Sequence, residues 1–205
     1  MHRVAFVLLW SCSAVCAQQM PRVPVIPAAA MDESMKMFNR ALGVECTFCH
    51  VDKDWKDASR PPWAIARAMW QMVQTLNSDQ LANTSGVTCL TCHGGQNKPA
   101  RLPAEEWQTI AEKWPATLGD DRKLAMSVYS ASLGVGCDHC HDSADWKSGT
   151  KPAFATTARM NAMFDVFPKF MPAGARTQCY MCHKGSKHPA VKPGPGPAVA
   201  NASSM

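Results

Sequence analysis

Apolar positions recur along this chain at helical spacing in four places. Met35, Phe38 and Leu42 share one face with Asn39, and Gly43 follows as a left-handed stop. Trp63, Ala66, Met69, Met72, Val73 and Leu76 form a second stripe. It opens on Pro61-Pro62, where proline is tolerated in a first helical turn. A third stripe, Met126, Tyr129, Ser130 and Leu133 before Gly134, resembles the first. A fourth, Phe154, Met160, Met163, Phe164 and Phe167, starts at Pro152 and is ended by Pro168. One more short helix is predicted around Glu105 to Lys113. No alternating strand pattern accompanies these stripes, so the expected fold is mainly α, with short helices and long loops.

The stripes belong to an internal repeat. A shift of 91 residues carries Leu42-Gly43-Val44 onto Leu133-Gly134-Val135 and Asp54-Trp55-Lys56 onto Asp145-Trp146-Lys147. Met69 and Met72 fall on Met160 and Met163, and after the loss of one residue Cys89 falls on Cys179. The expected organisation is a signal peptide over 1–17, a first unit over 18–112, a second over 113–188 and a Pro/Gly/Ala-rich tail over 189–205. The leader reads as His2-Arg3, an apolar run from Val4 to Trp10, then Val15-Cys16-Ala17 before a cut. A lipid-anchored variant would use Cys12, after Leu9-Trp10-Ser11.

Composition changes the picture at one point, the cysteines. Charged residues are 18 % of 205 and the formal balance is +5, with no dense Lys/Arg run, which excludes a typical nucleic-acid binder. Eight of ten cysteines fall into Cys-x-x-Cys pairs, each followed at once by His. The pairs are Cys46 and Cys49 with His50, Cys89 and Cys92 with His93, Cys137 and Cys140 with His141, and Cys179 and Cys182 with His183. This is the c-type haem attachment pattern. Two thiols at that spacing reach the two vinyl groups on one porphyrin edge, and the next imidazole comes under the iron. A zinc site joins two such pairs in one cage and does not demand the histidine. Disulfides suit an exported protein, but would not space every cysteine identically. The expectation is four covalent c-type haems, two in each of two pseudo-symmetric dihaem units.

Haem iron takes a sixth ligand, and thioether sulfur is a standard one. Met35 and Met126 each stand 11 residues before the first Cys of their motif, and Met69 and Met160 stand 20 and 19 before theirs. These four are the favoured distal ligands. Met72 and Met163, one turn later on nearly the same face, are the alternatives. His139 and His188 are further candidate ligands or propionate partners, and Arg40, Arg60, Arg67, Arg101 and Arg159 are candidate propionate partners.

The segment from Met35 to His50 resembles the first haem unit of the tetrahaem cytochrome subunit of bacterial photosynthetic reaction centres. Ala66 to Met72, Asn77 and the run Gly86 to Gly95 resemble the second, and the likeness extends over residues 25 to 190. It implies four haems in a line and a periplasmic carrier. That carrier takes electrons from a soluble donor such as a small cytochrome and passes them to a membrane-embedded reaction centre. In the family one haem carries a second His from the segment before the second motif. Here Ser78 to Thr88 contains no His, and Met160 is the natural substitute. The functional expectation is electron transfer without catalysis of its own. A respiratory complex as acceptor is the alternative, and a multihaem reductase with an open iron position the more distant one.

Overall fold

The structure, a computed structural model, describes Ile26, residues 28–113 and residues 119–189. The expected leader with Cys12 and Cys16, and the tail beyond Pro189, lie outside the described residues.

Among the described residues seven α-helices follow in order: α1 (Met31–Leu42), α2 (Pro61–Ser78), α3 (Cys89–His93), α4 (Ala104–Ala111), α5 (Asp120–Leu133), α6 (Pro152–Asn161) and α7 (Tyr180–His183). Among the described residues extended pairing is limited to one bridge, Val51 with Asp54. The helix ends follow from local chemistry. Gly43 and Gly134 close α1 and α5 with the same left-handed geometry, φ 62° and ψ 38°, and donate to the carbonyls of Asn39 and Ser130. Pro61 and Pro152 stand in the first turns of α2 and α6. Thr88 and Thr91 cap α3 reciprocally.

The fourth stripe departs from expectation. A helix from Pro152 to Phe167 was predicted, but α6 stops at Asn161 and the chain continues as tighter 3-10 turns over Ala162–Asp165 and Phe167–Lys169. Pro168 disfavours α geometry at the residue before it and offers no N–H. The corresponding residue in α2 is Asn77, which lets that helix run on to Ser78.

Packing joins the elements in a chain. In the first unit Gly95 N–H donates to Ala41 O at 2.9 Å, and in the second Gly185 N–H donates to Ser132 O at 2.9 Å. The approach is close: the carbonyl oxygens of Gly95 and Gly185 take the space a Cβ on Gly43 and Gly134 would need. So α3 lies on α1 and α7 on α5, and α3 also meets α7. Ala41, Val73 and Cys89, with Phe38 and Leu90, form one apolar cluster. Leu76, Leu81 and Val166 form another that joins the end of α2 to the turns after α6. Among the described residues the largest fully buried side chains are small and polar, Ser34, Thr91, Ser127 and Ser132. Protein atoms alone therefore make a thin core for a chain of this size.

Candidate functional site

Two cavities flank the first motif of each unit. The larger, about 770 Å³, lies between α1, α2 and the Cys46–His50 segment, within the usual range of about 300–1,000 Å³ for cofactor sites. The smaller, about 210 Å³, lies between α5, α6 and Cys137–His141. Each of the thirteen residues lining the smaller has its counterpart, 91 positions earlier, lining the larger. The two are copies of one site. Phe154 has its ring centroid 5.6 Å from that of His141, which narrows the second copy.

Each copy brings together what the repeat spacing nominated: Met35 with Cys46, Cys49 and His50, and Met126 with Cys137, Cys140 and His141. Helical spacing puts Met35 and Met126 on the inward face, and left-handed Gly43 or Gly134 turns the chain back so that the motif faces the helix it follows. One contact is exchanged as a pair. Phe38 meets Trp70 edge-on at 5.7 Å in the first copy. At the same two positions in the second, Asn161 Nδ2 donates to the Tyr129 hydroxyl at 2.8 Å.

A c-type haem needs two thiols, a neutral imidazole, a distal donor and an apolar slot; both cavities carry that set of residues, and the larger also has the volume, while Phe154 leaves the smaller too narrow for it as it stands. His50 Nδ1, His141 Nδ1 and the Trp70 indole N–H are buried without a hydrogen-bond partner among the described residues. The Trp70 N–H lines the larger cavity, where a carboxylate of a bound group would satisfy it; the two Nδ1 atoms are not the nitrogens a haem iron would take. Arg67, expected as a propionate partner, lines the larger cavity and stacks on Trp63 at 5.4 Å. Its counterpart in the second copy is Ala158.

The second motif of each unit is built differently. His93 Nδ1 lies 2.9 Å from Gln96 O and His183 Nδ1 lies 3.0 Å from Ser186 O. A proton shared there leaves Nε2 as the free donor, the tautomer a metal requires. Burial holds both imidazoles below the ordinary histidine value and so favours the neutral form. Burial also pushes the Cys89 thiol up to about 11 and raises Cys179. Met72, Met160 and Met163 pack on the Leu76–Leu81–Val166 cluster, while Met69 is half-buried on α2 outside it.

One pairing was not foreseen. Cys92 and Cys182 form a disulfide between α3 and α7. A sulfur bonded in this way cannot carry a thioether, so at these two positions the expected haem attachment and the disulfide exclude each other. Nothing in the motif spacing signals it, because the proximity arises where the two units meet. Sequence reading also passed over Trp55 and Trp146. Their rings lie 6.0 and 6.2 Å from those of His50 and His141, and both are about half exposed. The repeated Asp-Trp-Lys triplet was the available signal.

Comparison with known proteins agrees with the resemblance read from the motifs. The family profile described as photosynthetic reaction centre cytochrome C subunit matches residues 28–84 and 44–123. The photosynthetic reaction center cytochrome c subunit of Rubrivivax gelatinosus is 25 % identical over 77 % of this chain, and that of Thermochromatium tepidum 24 % over 70 %. That of Roseobacter denitrificans is 32 % identical over 32 % of the chain. The matches span 65 % and 52 % of the first two relatives, so the chain corresponds to between half and two thirds of their length. No helix among the described residues is long and apolar enough to cross a membrane.

Proposed function

Because the chain is similar to reaction-centre cytochrome c subunits, we propose that it is a periplasmic tetrahaem c-type cytochrome. It would accept electrons from a small soluble cytochrome and deliver them to a membrane-embedded reaction centre. The observation that carries this reading is the pair of copied cavities, each lined by two motif cysteines, the following histidine and a methionine. The group supplies one-electron chemistry at iron. The chain's own residues would anchor it and supply both iron ligands, which would separate a carrier from a reductase. Cys46 and Cys49 would tether the first, with His50 and Met35 as ligands. Cys137, Cys140, His141 and Met126 would do the same in the second unit. Cys89, Cys92 and His93, and Cys179, Cys182 and His183, would hold the other two, with distal sulfur from Met69 or Met72 and from Met160 or Met163. Contact of α3 with α7 puts these two motifs side by side, so electrons would pass from one unit to the other there.

Four haems require Cys92 and Cys182 as thioethers. Intact mass of the mature protein tests this, with four haem additions expected. A mass with two additions and a Cys92–Cys182 cross-linked peptide would reduce the reading to the two cavities. Rapid stoichiometric carbon monoxide binding to the reduced protein would show an open iron and overturn the carrier assignment.

A further inference from the structure

The Asp-Trp-Lys triplet occurs once in each unit, after the first motif, and both copies fold alike. Asp54 N–H donates to Val51 O and Asp145 N–H to Asp142 O, each at 3.1 Å. The Asp54 carboxylate accepts from the Lys56 N–H at 3.3 Å, and that of Asp145 from the Lys147 N–H at 3.1 Å. These turns hold Trp55 and Trp146 against the motif histidines, with ring centroids 6.0 and 6.2 Å from those of His50 and His141. Both indoles are about half exposed, so they add little to the core. What they stand beside is unusual. A ligating histidine nearly always donates its second ring N–H to a carbonyl, a carboxylate or water. Nδ1 of His50 and of His141 is buried with no hydrogen-bond partner among the described residues. The unpartnered nitrogen and the tryptophan thus occur together, once in each unit.

We propose that Trp55 is a positioning residue for the haem held by Cys46, Cys49 and His50: its ring stands against the imidazole and keeps oxygen acceptors away from Nδ1–H. An aromatic ring is a weaker acceptor than a carbonyl oxygen. The imidazole then gives less charge to iron than one hydrogen-bonded through Nδ1, which disfavours the ferric state and raises the potential. Trp55 lines the larger cavity together with His50. At His141 the Phe154 ring adds a second aromatic neighbour, so His50 gives the cleaner test. The inference rests on the proposed haem at this one motif and on no other.

The test is a redox titration of the holoprotein, with the His50 haem assigned by paramagnetic NMR. Trp55 belongs to a surface loop, so replacing it leaves the helices intact. In Trp55→Ala water reaches Nδ1–H. The ferrous-to-ferric ratio of that haem at fixed ambient potential should fall on the order of tenfold, or about 59 mV for one electron. The Nδ1 proton, slow to exchange with solvent in the parent, should exchange fast. Trp55→Phe keeps a ring in place and should return both readouts close to the parent's. A haem merely made wetter would lose potential with no change at Nδ1. A fall without faster exchange therefore overturns the proposal, as does an unmoved potential or an equal fall in Trp55→Phe. Absence of haem from the proteolytic peptide bearing Cys46 and Cys49 would instead overturn the reading beneath it.

Discussion

Met126 shows what a single side chain decides here. It lines the same cavity as His141, on the face of α5 that repeats Met35. Met126→His should lower the potential of that haem, since thioether favours ferrous iron relative to a second imidazole. An unchanged titration would reduce Met126 to cavity lining. Gly43 decides something different. With φ at 62° and the Gly95 carbonyl in the place of a Cβ, Gly43→Ala should cost about 2–3 kcal/mol in urea unfolding, and Gly134→Ala should match it. At this scale the sequence was legible wherever the repeat supplied a second witness. The glycine stops occur twice and recur in the structure, and Met35 and Met126 line matching cavities, whereas Met69 and Met160 have different surroundings. The Cys92–Cys182 bond was not legible. It depends on where one unit touches the other, which periodicity within a unit does not encode.

Among the elements, α1 and α5 are close copies and α2 and α6 are not. Both were legible from caps and prolines up to α6, where the period-3.6 stripe ran on past the residue at which the helix ends. Apolar residues at 163, 166 and 167 face the core equally well from 3-10 turns, since Val166 is buried and Phe167 packs on its cluster. Periodicity alone does not separate the two geometries. In α2 the residue equivalent to Pro168 is Asn77, and it does more than continue the helix. Its Nδ2 donates to Val87 O at 2.9 Å, and its Oδ1 accepts from Val87 N–H at 2.7 Å. That clamp fixes the loop leading into Cys89. Asn77→Ala should cost about 2 kcal/mol and raise hydrogen exchange over residues 79–88 without disturbing α1.

For the whole molecule, the contacts run from α1 to α3, from α3 to α7 and from α7 to α5. Little apolar protein surface is buried along the way. Cofactor binding energy is then folding energy. A chain made without haem attachment should lose most of its far-ultraviolet helical signal, and full helicity in that form would show that the protein packs unaided. Mainly helical architecture was legible because stripe lengths and stops agreed. The meeting of the units at α3 and α7 was not, because those helices are four or five residues long and carry no stripe of their own.

The exchanged pair at the cavity walls, Phe38 with Trp70 against Tyr129 with Asn161, bears on how the copies could have diverged. Neither partner changes freely. Tyr129→Phe alone strands the Asn161 amide, and Asn161→Trp alone puts an indole against a hydroxyl. The two positions should therefore be coupled, each substitution costing less in the background of the other. In a double-mutant cycle the combined Tyr129→Phe/Asn161→Trp chain should be more stable than the two single variants predict when added. Such coupling would make the pair change together, so that each cavity keeps either its ring contact or its hydrogen bond.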